Sequence, residues 1–471
     1  MQGQTSVSAQ PEAHISIKSR DKVQGILIGF LAIGYILLQM APVTEVERLV
    51  SLIALAVIVV VMPGIRGTTL VISVLLLLAA VSLMAYHHVP AQEWLKSLRI
   101  NITLVAIFLV VPLLGIPVKA GGYVEALKIV LNKKMNEPYF FYLGTTFLTH
   151  ILGVVLNIGS VSIVNQLTAA SNIKAPRLVA NAINRGFVTT IFWSPYFSAM
   201  ALILSQLPIK WSSIVFYSMG LSIIGILVSL LIDRSQIKAS FPEEQGEKGL
   251  YQDKETLINA RKKVFELFTY LIVITAAVLI LEFMTGYSIV LMICLVSLAF
   301  PLLWCVFSGK STVYFQEFQQ HVYIGIPRMK KEIVLFLIAG FFSGAFIHAD
   351  LSNTLINFIQ NIFGSFHLGT AFFLSFIVFL TALIGIHPIV VVTICVTSLK
   401  PELIGFSPEY FAVLLLASWG ITNPVAPATA VNNLLANLLK VDLLELSIRW
   451  NIRYVIIMLI IIPLYLEMVG L

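Results

Sequence analysis

The sequence is poor in charged residues. Only 11% of its 471 residues are Asp, Glu, Lys or Arg, whereas soluble domains carry about 25%. Hydrophobic residues make up 58% of the chain, and the mean hydropathy is +0.94. Apolar runs near the length of a membrane span recur along almost the whole chain. The composition therefore excludes a soluble globular protein and predicts an all-α polytopic membrane protein.

Cysteine is scarce, and the motifs of several enzyme classes are absent from the sequence. Its three cysteines, Cys294, Cys305 and Cys395, are scattered through apolar runs, which excludes a disulfide framework or a cysteine metal site. The chain has no glycine-rich phosphate loop with a lysine, so ATP-driven transport by this chain alone is disfavoured. We predict that the protein is not an enzyme and needs no cofactor, with Na⁺ kept open as a coupling ion.

Basic residues in the loops predict the orientation in the membrane. The formal charge of +7 comes from loop lysines and arginines, and it indicates topology, not nucleic-acid binding. Lys18, Arg20 and Lys22 precede the first apolar run, and Arg66 follows the second. The positive-inside rule then places the N-terminus in the cytoplasm of an inner-membrane protein. Counting about eleven spans places the C-terminus outside. The polar segment 1–21 lacks the apolar core of a signal peptide and is interpreted as a cytoplasmic tail.

Two apolar runs are interrupted by proline. Pro424 and Pro427 lie in the middle of the run 410–439, and Pro195 follows Ser194 in the run 178–207. A proline removes one helical hydrogen bond and clashes with the preceding turn, so each helix should unwind locally. Unwound backbone at membrane depth is tolerated only where it lines a cavity. Each break is therefore a candidate wall of a binding site.

Two further apolar segments are interrupted at their centres and are predicted to be re-entrant hairpins. Asn157-Ile158-Gly159-Ser160 divides the first, and basic residues flank both of its ends, at 133–134 and at 174 and 177. A segment that begins and ends on the same side of the membrane does not cross it. Gly385-Ile386-His387-Pro388 divides the second, which enters from the opposite side.

The interruptions recur at a constant spacing. Ser194-Pro195 and Asn423-Pro424 are related by an offset of 229 (423 minus 194), and Gly159-Ser160 and His387-Pro388 by an offset of 228 (387 minus 159). The charges of the loops indicate that corresponding segments cross the membrane in opposite directions. This arrangement predicts the inverted-topology repeats of secondary transporters.

The predicted division of the chain follows from these repeats. It comprises a cytoplasmic tail 1–21, scaffold spans 22–98, transport repeat 99–207 with hairpin 139–168, scaffold spans 208–326 with a solvated cytoplasmic linker 233–263, transport repeat 327–440 with hairpin 367–398, and a C-terminal span 441–471.

This architecture resembles the ion transporter superfamily, which includes divalent anion/sodium symporters, arsenite permeases and the large membrane subunits of TRAP transporters. Gly385-Ile386-His387-Pro388-Ile389 is similar to a Gly-hydrophobic-His-Pro stretch of TRAP large subunits, and the stretch 193–198 is similar to their proline break. The Ser-Asn-Thr hairpin signatures of dicarboxylate symporters are absent. The resemblance implies a homodimer that works by an elevator movement.

The hairpin tips and the breaks supply the candidate site. Helix N-termini there direct backbone amides inward and can hold an anion, while freed carbonyls and helix C-termini suit Na⁺. The predicted substrate- and ion-binding residues are Asn157, Gly159, Ser160, Ser194, Pro195, Ser198, Gly385, His387, Pro388, Thr422, Asn423, Pro424, Pro427 and Thr429. Kinking and packing of helices is the structural alternative for the whole set.

Other polar residues leave two interpretations open. His387 is predicted to bind substrate or a coupled proton, and His150 is interpreted first as a packing residue. Arg185 is interpreted first as snorkelling toward the cytoplasmic interface and second as a cation that attracts substrate. Asn432, Asn433 and Asn437 would either line the site or join helices.

The sequence thus predicts a secondary active transporter of a small anion, of carboxylate type, coupled to Na⁺ or H⁺. Its predicted partners are the anion, the lipid bilayer and a second copy of the chain. Two alternatives remain: an exporter or antiporter of a neutral or hydrophobic solute, and a membrane scaffold without transport. Polar breaks at midplane depth count against the scaffold.

Overall fold

The fold is entirely helical in the part of the chain that the structure describes, which confirms the predicted class. The structure, a computed structural model, describes residues 19–131, 137–169, 175–240 and 254–471. Most of the predicted tail and the basic residues Lys133, Lys134 and Lys174 lie outside these ranges.

Twenty-three α-helices lie within the described ranges. The first half contains α1 Ser19–Met40, α2 Thr44–Val61, α3 Thr68–Tyr86, α4 Ala91–Ser97, α5 Ile102–Val110, α6 Gly115–Ala120, α7 Tyr123–Leu131, α8 Pro138–Leu156, α9 Gly159–Thr168, α10 Pro176–Ile191, α11 Ser198–Gln206 and α12 Trp211–Ala239. The second half contains α13 Lys254–Thr285, α14 Ile289–Phe307, α15 Ser311–Gln320, α16 Ile326–Arg328, α17 Lys330–His348, α18 Leu351–Phe363, α19 His367–Leu383, α20 Pro388–Ser398, α21 Pro408–Thr422, α22 Ala430–Leu439 and α23 Trp450–Met468. Short 3₁₀ or π-helical turns join several of them.

Eleven helical stretches of the described chain are long and apolar enough to cross a bilayer, the number that the sequence predicts. Their membership differs in one place. The first arm of the first hairpin, Pro138–Leu156, has 19 residues and qualifies, whereas the broken segment of α10 and α11 is not among the eleven. The reason is that α10 carries Arg177, Asn181, Asn184 and Arg185, which lower its hydropathy.

The two halves repeat the same order of helices. The first hairpin is α8 and α9, the second is α19 and α20, and the corresponding arms begin at an offset of 229 (367 minus 138, and 388 minus 159). A helix broken near its middle follows each hairpin, as α10–α11 and α21–α22. The halves exchange contacts, since α9 packs against α22 and α20 packs against α11. Such an exchange is what a two-fold relation between the halves produces.

The core of the bundle is formed by the repeats. Every residue of α21 from Tyr410 to Thr422 is buried, as is typical of a helix that is apolar on all sides. Large hydrophobic side chains are exposed along α1, α2, α3 and α13, as expected for helices that face the lipid of a bilayer. The outer helices thus surround the repeats, in which α5 and α17 are largely buried as well as α21.

The predicted linker 233–263 is shorter than expected. Helix α12 continues to Ala239, α13 already begins at Lys254, and Asp233 is buried inside the protein. The prediction of a solvated segment is therefore wrong for Asp233, because a helix can extend past the end of its apolar run.

A glycine sets the distance between the first hairpin and the broken helix beside it. A Cβ at Gly186 of α10 would lie 2.3 Å from the carbonyl oxygen of Thr146 in α8. Because backbone is in the way, we expect Gly186→Ala to lower the free energy of unfolding by about 1–3 kcal/mol. Thermal unfolding of the detergent-solubilised protein measures the change. Gly29→Ala in α1 is the control: a Cβ there meets nothing within 4 Å, so it should stabilise the helix slightly. Equal melting temperatures for the two variants would contradict the close approach.

Candidate functional site

The second break is held open by asparagine and threonine side chains. Helix α21 ends at Thr422, a 3₁₀ turn covers Asn423–Val425, and α22 begins at Ala430. The side-chain amide of Asn432 lies 2.9, 3.0 and 2.9 Å from the carbonyl oxygens of Asn423, Pro424 and Ala426. The Thr429 hydroxyl donates to the Ala426 carbonyl at 3.1 Å. The amide of one buried asparagine thus lies within hydrogen-bond distance of three carbonyls at the break, which its two N–H groups share.

The first break is tied to the first hairpin. The Ser194 hydroxyl donates to the Val154 carbonyl of α8 at 3.2 Å. The indole of Trp193 donates to Nε2 of His150 at 3.1 Å, and Nδ1 of His150 lies 2.9 Å from the Thr189 hydroxyl. Since an indole only donates, the imidazole is neutral with its proton on Nδ1. Both nitrogens of His150 are therefore used between α8 and α10, which supports its interpretation as a packing residue.

The two broken helices meet in the centre of the protein. The side-chain amide of Asn184 in α10 donates to Oδ1 of Asn432 at 2.7 Å, and both residues are buried. Helix α21 passes close to the first break, because a Cβ at Gly420 would lie 2.4 Å from the ring of Phe192. The side chains at both breaks thus belong to one connected core.

The tip of the second hairpin borders a cleft. Gly385 has a φ of +89°, a conformation that favours glycine, and His387 is the N-cap of α20, its Nδ1 accepting from the Ile389 amide at 3.2 Å. The proton of a neutral His387 therefore lies on Nε2. The cleft is small, with a cavity volume of about 20 Å³, and it is partly open to the surroundings. Its lining consists of Thr69, Ile72, Lys331, Glu332, Leu335, Gly385, His387 and Ala428.

The tip of the first hairpin has a tight turn of its own. Asn157 ends α8 with a φ of +49°, and the Ser160 hydroxyl donates back to the Asn157 carbonyl at 2.7 Å. Gly159 is exposed, while Ser160 is buried. The hairpin packs on α10 and α22. The second arm of this hairpin, α9, therefore contacts the second broken helix.

The predicted site residues fall into two sets, one in each half of the chain. The first set comprises Asn157, Gly159, Ser160, Ser194, Pro195 and Ser198, and the second comprises Gly385, His387, Pro388, Thr422, Asn423, Pro424, Pro427 and Thr429. Only Gly385 and His387 of these line the cleft, which also includes Ala428 of the second break. Their role in binding stays a prediction. The sequence left Asn432 between two interpretations, and its contacts place it at the second break.

A buried ion pair was not foreseen from the sequence. The Arg185 guanidinium lies 3.1 Å from the Asp233 carboxylate, and the side chains are 0% and 1% exposed. The preferred interpretation of Arg185 as a snorkelling residue is therefore wrong: packing of α12 against α10 closes its way to the interface. Nε of Arg185 also donates to Asn451 at 3.0 Å, and one Nη donates to the Trp450 carbonyl at 3.1 Å.

The partners of Asp233 complete this network. Its carboxylate accepts from the Tyr142 hydroxyl at 2.9 Å and from the Asn181 amide at 2.8 Å. The Tyr142 oxygen lies 2.7 Å from the Ser229 hydroxyl, from which it accepts. The network therefore joins α8, α10 and α12, and through Arg185 it reaches α23. These hydrogen bonds, together with the attraction between the two charges, offset much of the free-energy cost of removing the ion pair from water.

Paired helical hairpins and broken helices inside an apolar bundle are the architecture of a secondary membrane transporter. No protein-family model matches the chain, and no curated protein sequence matches it. Among solved structures, the chain is similar to the crystal structure of the Alcanivorax borkumensis YdaH transporter, which is described as having an unusual topology. The TM-score is 0.58 at 13% sequence identity, over 84% of this chain and 98% of that one. The protein is a multi-pass membrane protein with a transporter fold.

Proposed function

We propose that this protein is a secondary active transporter of a small anion of carboxylate type, coupled to Na⁺ or H⁺. The observation that carries the proposal is the cleft at the second hairpin tip, where His387 faces the broken helix at Ala428. A non-enzymatic scaffold has no need of such a cleft beside unwound backbone. The chain would work as a multi-pass protein of the inner membrane, with its N-terminus in the cytoplasm.

The chemistry of the cleft favours an anion. Helix α20 begins at Pro388 beside the cleft, and a helix N-terminus carries about half a positive charge. Nε2 of His387 has no hydrogen-bond partner among the described residues and offers a donor. Lys331, which lines the same cleft, adds a positive charge, which the neighbouring carboxylate of Glu332 offsets while it is ionised. A carboxylate needs this combination of donors and positive potential.

The movement and assembly follow the superfamily resemblance. We propose an elevator movement, in which the two transport repeats, 99–207 and 327–440, shift as a unit against the scaffold, and a homodimer formed through the scaffold helices. Contacts between the repeats support this division, since α9 packs against α22 and α11 packs against α20.

A second candidate is an exporter or antiporter of a neutral or hydrophobic solute. The aromatic surroundings of His387 favour it, since the rings of Phe336 and Trp419 each lie 6.1 Å from the imidazole by their centroids. Apolar Ile72 and Leu335 line the cleft as well. Such a lining would admit a solute with a large apolar part.

Counterflow in proteoliposomes tests the proposal. The panel consists of labelled succinate, glutamate and benzoate, each with and without a Na⁺ or pH gradient. We expect exchange of at least one of them, and we expect His387→Leu to lower it by about tenfold or more, since a hydrogen bond to a charged group contributes about 1.5–3 kcal/mol. The matched control is His87→Gln, an exposed histidine at the end of α3.

The outcomes separate the candidates. Exchange that needs His387 and tolerates the His87 change supports the anion transporter. Absence of exchange for every anion, together with transport of an apolar cation or neutral dye, would favour the second candidate. An unaltered rate in His387→Leu would remove the cleft from the transport path.

A further inference from the structure

One buried carboxylate oxygen in the cleft has no hydrogen-bond partner among the described residues. Oε2 of Glu332, in the first turn of α17, is buried and accepts no hydrogen bond from any described residue. Acidic residues in a first turn interact favourably with the helix dipole, but that interaction leaves the oxygen without a donor. An unpaired buried carboxylate oxygen is costly, so a native structure that keeps one calls for an explanation.

The groups around Glu332 are defined by the elements that meet at the cleft. Helix α17 contributes Lys331, the hairpin tip contributes His387, and α3 contributes the uncharged Thr69 and Ile72. Lys330 points elsewhere, since its Nζ lies 3.4 Å from Gln24 and 3.9 Å from Asp21. Three ionisable side chains, Lys331, Glu332 and His387, thus share one small space.

This lining suits a proton better than a sodium ion. Hard cations are bound by several oxygen ligands at once. Of the side chains that line the cleft, only Glu332 and Thr69 carry oxygen, and the ammonium of Lys331 would repel a metal cation. A proton needs one basic oxygen and no coordination shell. Intramembrane carboxylates commonly serve as such proton carriers.

We infer that Glu332 is the site at which this transporter takes up its coupled proton. The inference rests on the proposed transport of an anion. While Glu332 is ionised, its charge opposes that of an anion entering the cleft, because like charges in a desolvated site repel. When the carboxylate takes a proton from water and becomes a neutral carboxylic acid, Lys331 and Nε2 of His387 can hold the anion. Proton and anion would then occupy the cleft together.

Infrared difference spectroscopy tests the proton site without any solute. We expect wild-type protein, moved from alkaline to acidic buffer, to gain the carbonyl band of a protonated carboxylic acid in a desolvated environment. That band should be absent in Glu332→Gln and shifted but present in Glu332→Asp. The matched control is Glu445→Gln, which removes a half-exposed glutamate paired with Arg449. Thermal unfolding shows whether each variant is folded.

Transport measurements then test the coupling. For a carboxylate that exchanges in counterflow, we expect Glu332→Gln to lower pH-driven accumulation by about tenfold or more, and we expect the counterflow that remains to lose its dependence on pH. An unchanged infrared band in Glu332→Gln would overturn the inference. So would a stabilisation by Na⁺ that is present in wild type and lost in this variant. If no carboxylate exchanges in the wild type, the proposed function fails, and the infrared band still decides whether Glu332 binds a proton.

Discussion

Arg185→Met is expected to lower the free energy of unfolding by about 3–5 kcal/mol, the cost of leaving a buried charge without its partner. Arg185 and Asp233 are both inaccessible to solvent, and the guanidinium also donates to Asn451 and to the carbonyl of Trp450. Without it, the Asp233 carboxylate keeps only neutral donors. The melting temperature of the purified protein and the fraction that elutes as a single folded species measure the loss.

The matched control is Arg177→Met in the same helix, where the side chain is exposed. It should change the free energy of unfolding by about 0.5 kcal/mol or less. The double variant Arg185→Met with Asp233→Asn removes both charges and should regain a large part of the stability, because the cost comes from the unpaired carboxylate. A double variant no more stable than Arg185→Met would show that the cation itself, and not the pairing, is required.

Asn432→Ala has the second largest expected effect. Its amide serves the carbonyls of Asn423, Pro424 and Ala426, and its oxygen accepts from Asn184. Each buried polar group left without a partner costs about 1–3 kcal/mol. We expect a loss of about 2 kcal/mol or more in the free energy of unfolding, since the Pro424 carbonyl and the Asn184 amide lose their partner while the carbonyls of Asn423 and Ala426 keep other donors. Thermal unfolding of the purified variant measures it.

The control for this prediction lies in the same helix. Asn437 is exposed, so Asn437→Ala should leave the melting temperature close to that of the wild type. Asn432→Asp provides a second comparison, because a carboxylate offers no donor to the three carbonyls and should be at least as harmful as alanine. Equal behaviour of Asn432→Ala and Asn437→Ala would contradict the role of Asn432 in holding the break.

The positions of hairpins and breaks were readable from the sequence because they depend on local chemistry. Pro195, Pro424 and Pro427 cannot continue a helix, and Asn157 and Gly385 adopt the positive φ that their turns require. The offset between the proline breaks recurs in the helix boundaries. These rules depend on a few neighbouring residues, so the positions of the turns and breaks can be predicted without knowledge of the tertiary contacts.

The buried charges could not be found in the same way. Arg185 and Asp233 are 48 residues apart in sequence, and each lies where a charge next to an apolar run usually meets the interface. Glu332 follows Lys330 and Lys331, which makes it resemble part of a solvated loop. Their burial depends on how α12 and α17 pack against other helices, and no periodicity in the sequence encodes those contacts.

The asparagines of α22 illustrate a third case. Asn432 and Asn437 are five residues apart, which places their side chains about 140° apart around the helix. Both residues are asparagines, but their environments differ: Asn432 is buried and Asn437 is exposed. The helical phase separates them as soon as one buried face is known, but the sequence alone does not indicate which face that is.

The network of Arg185 and Asp233 also makes the two repeats unequal. At the offset that relates the repeats, the corresponding positions in the second half are Leu414 and Ile462, both fully buried and apolar. The repeated architecture thus contains a buried ion pair in one half and buried apolar side chains at the corresponding positions of the other half. Separating α10 from α12 therefore exposes a pair of charges, whereas the corresponding positions of the second half would expose only apolar side chains.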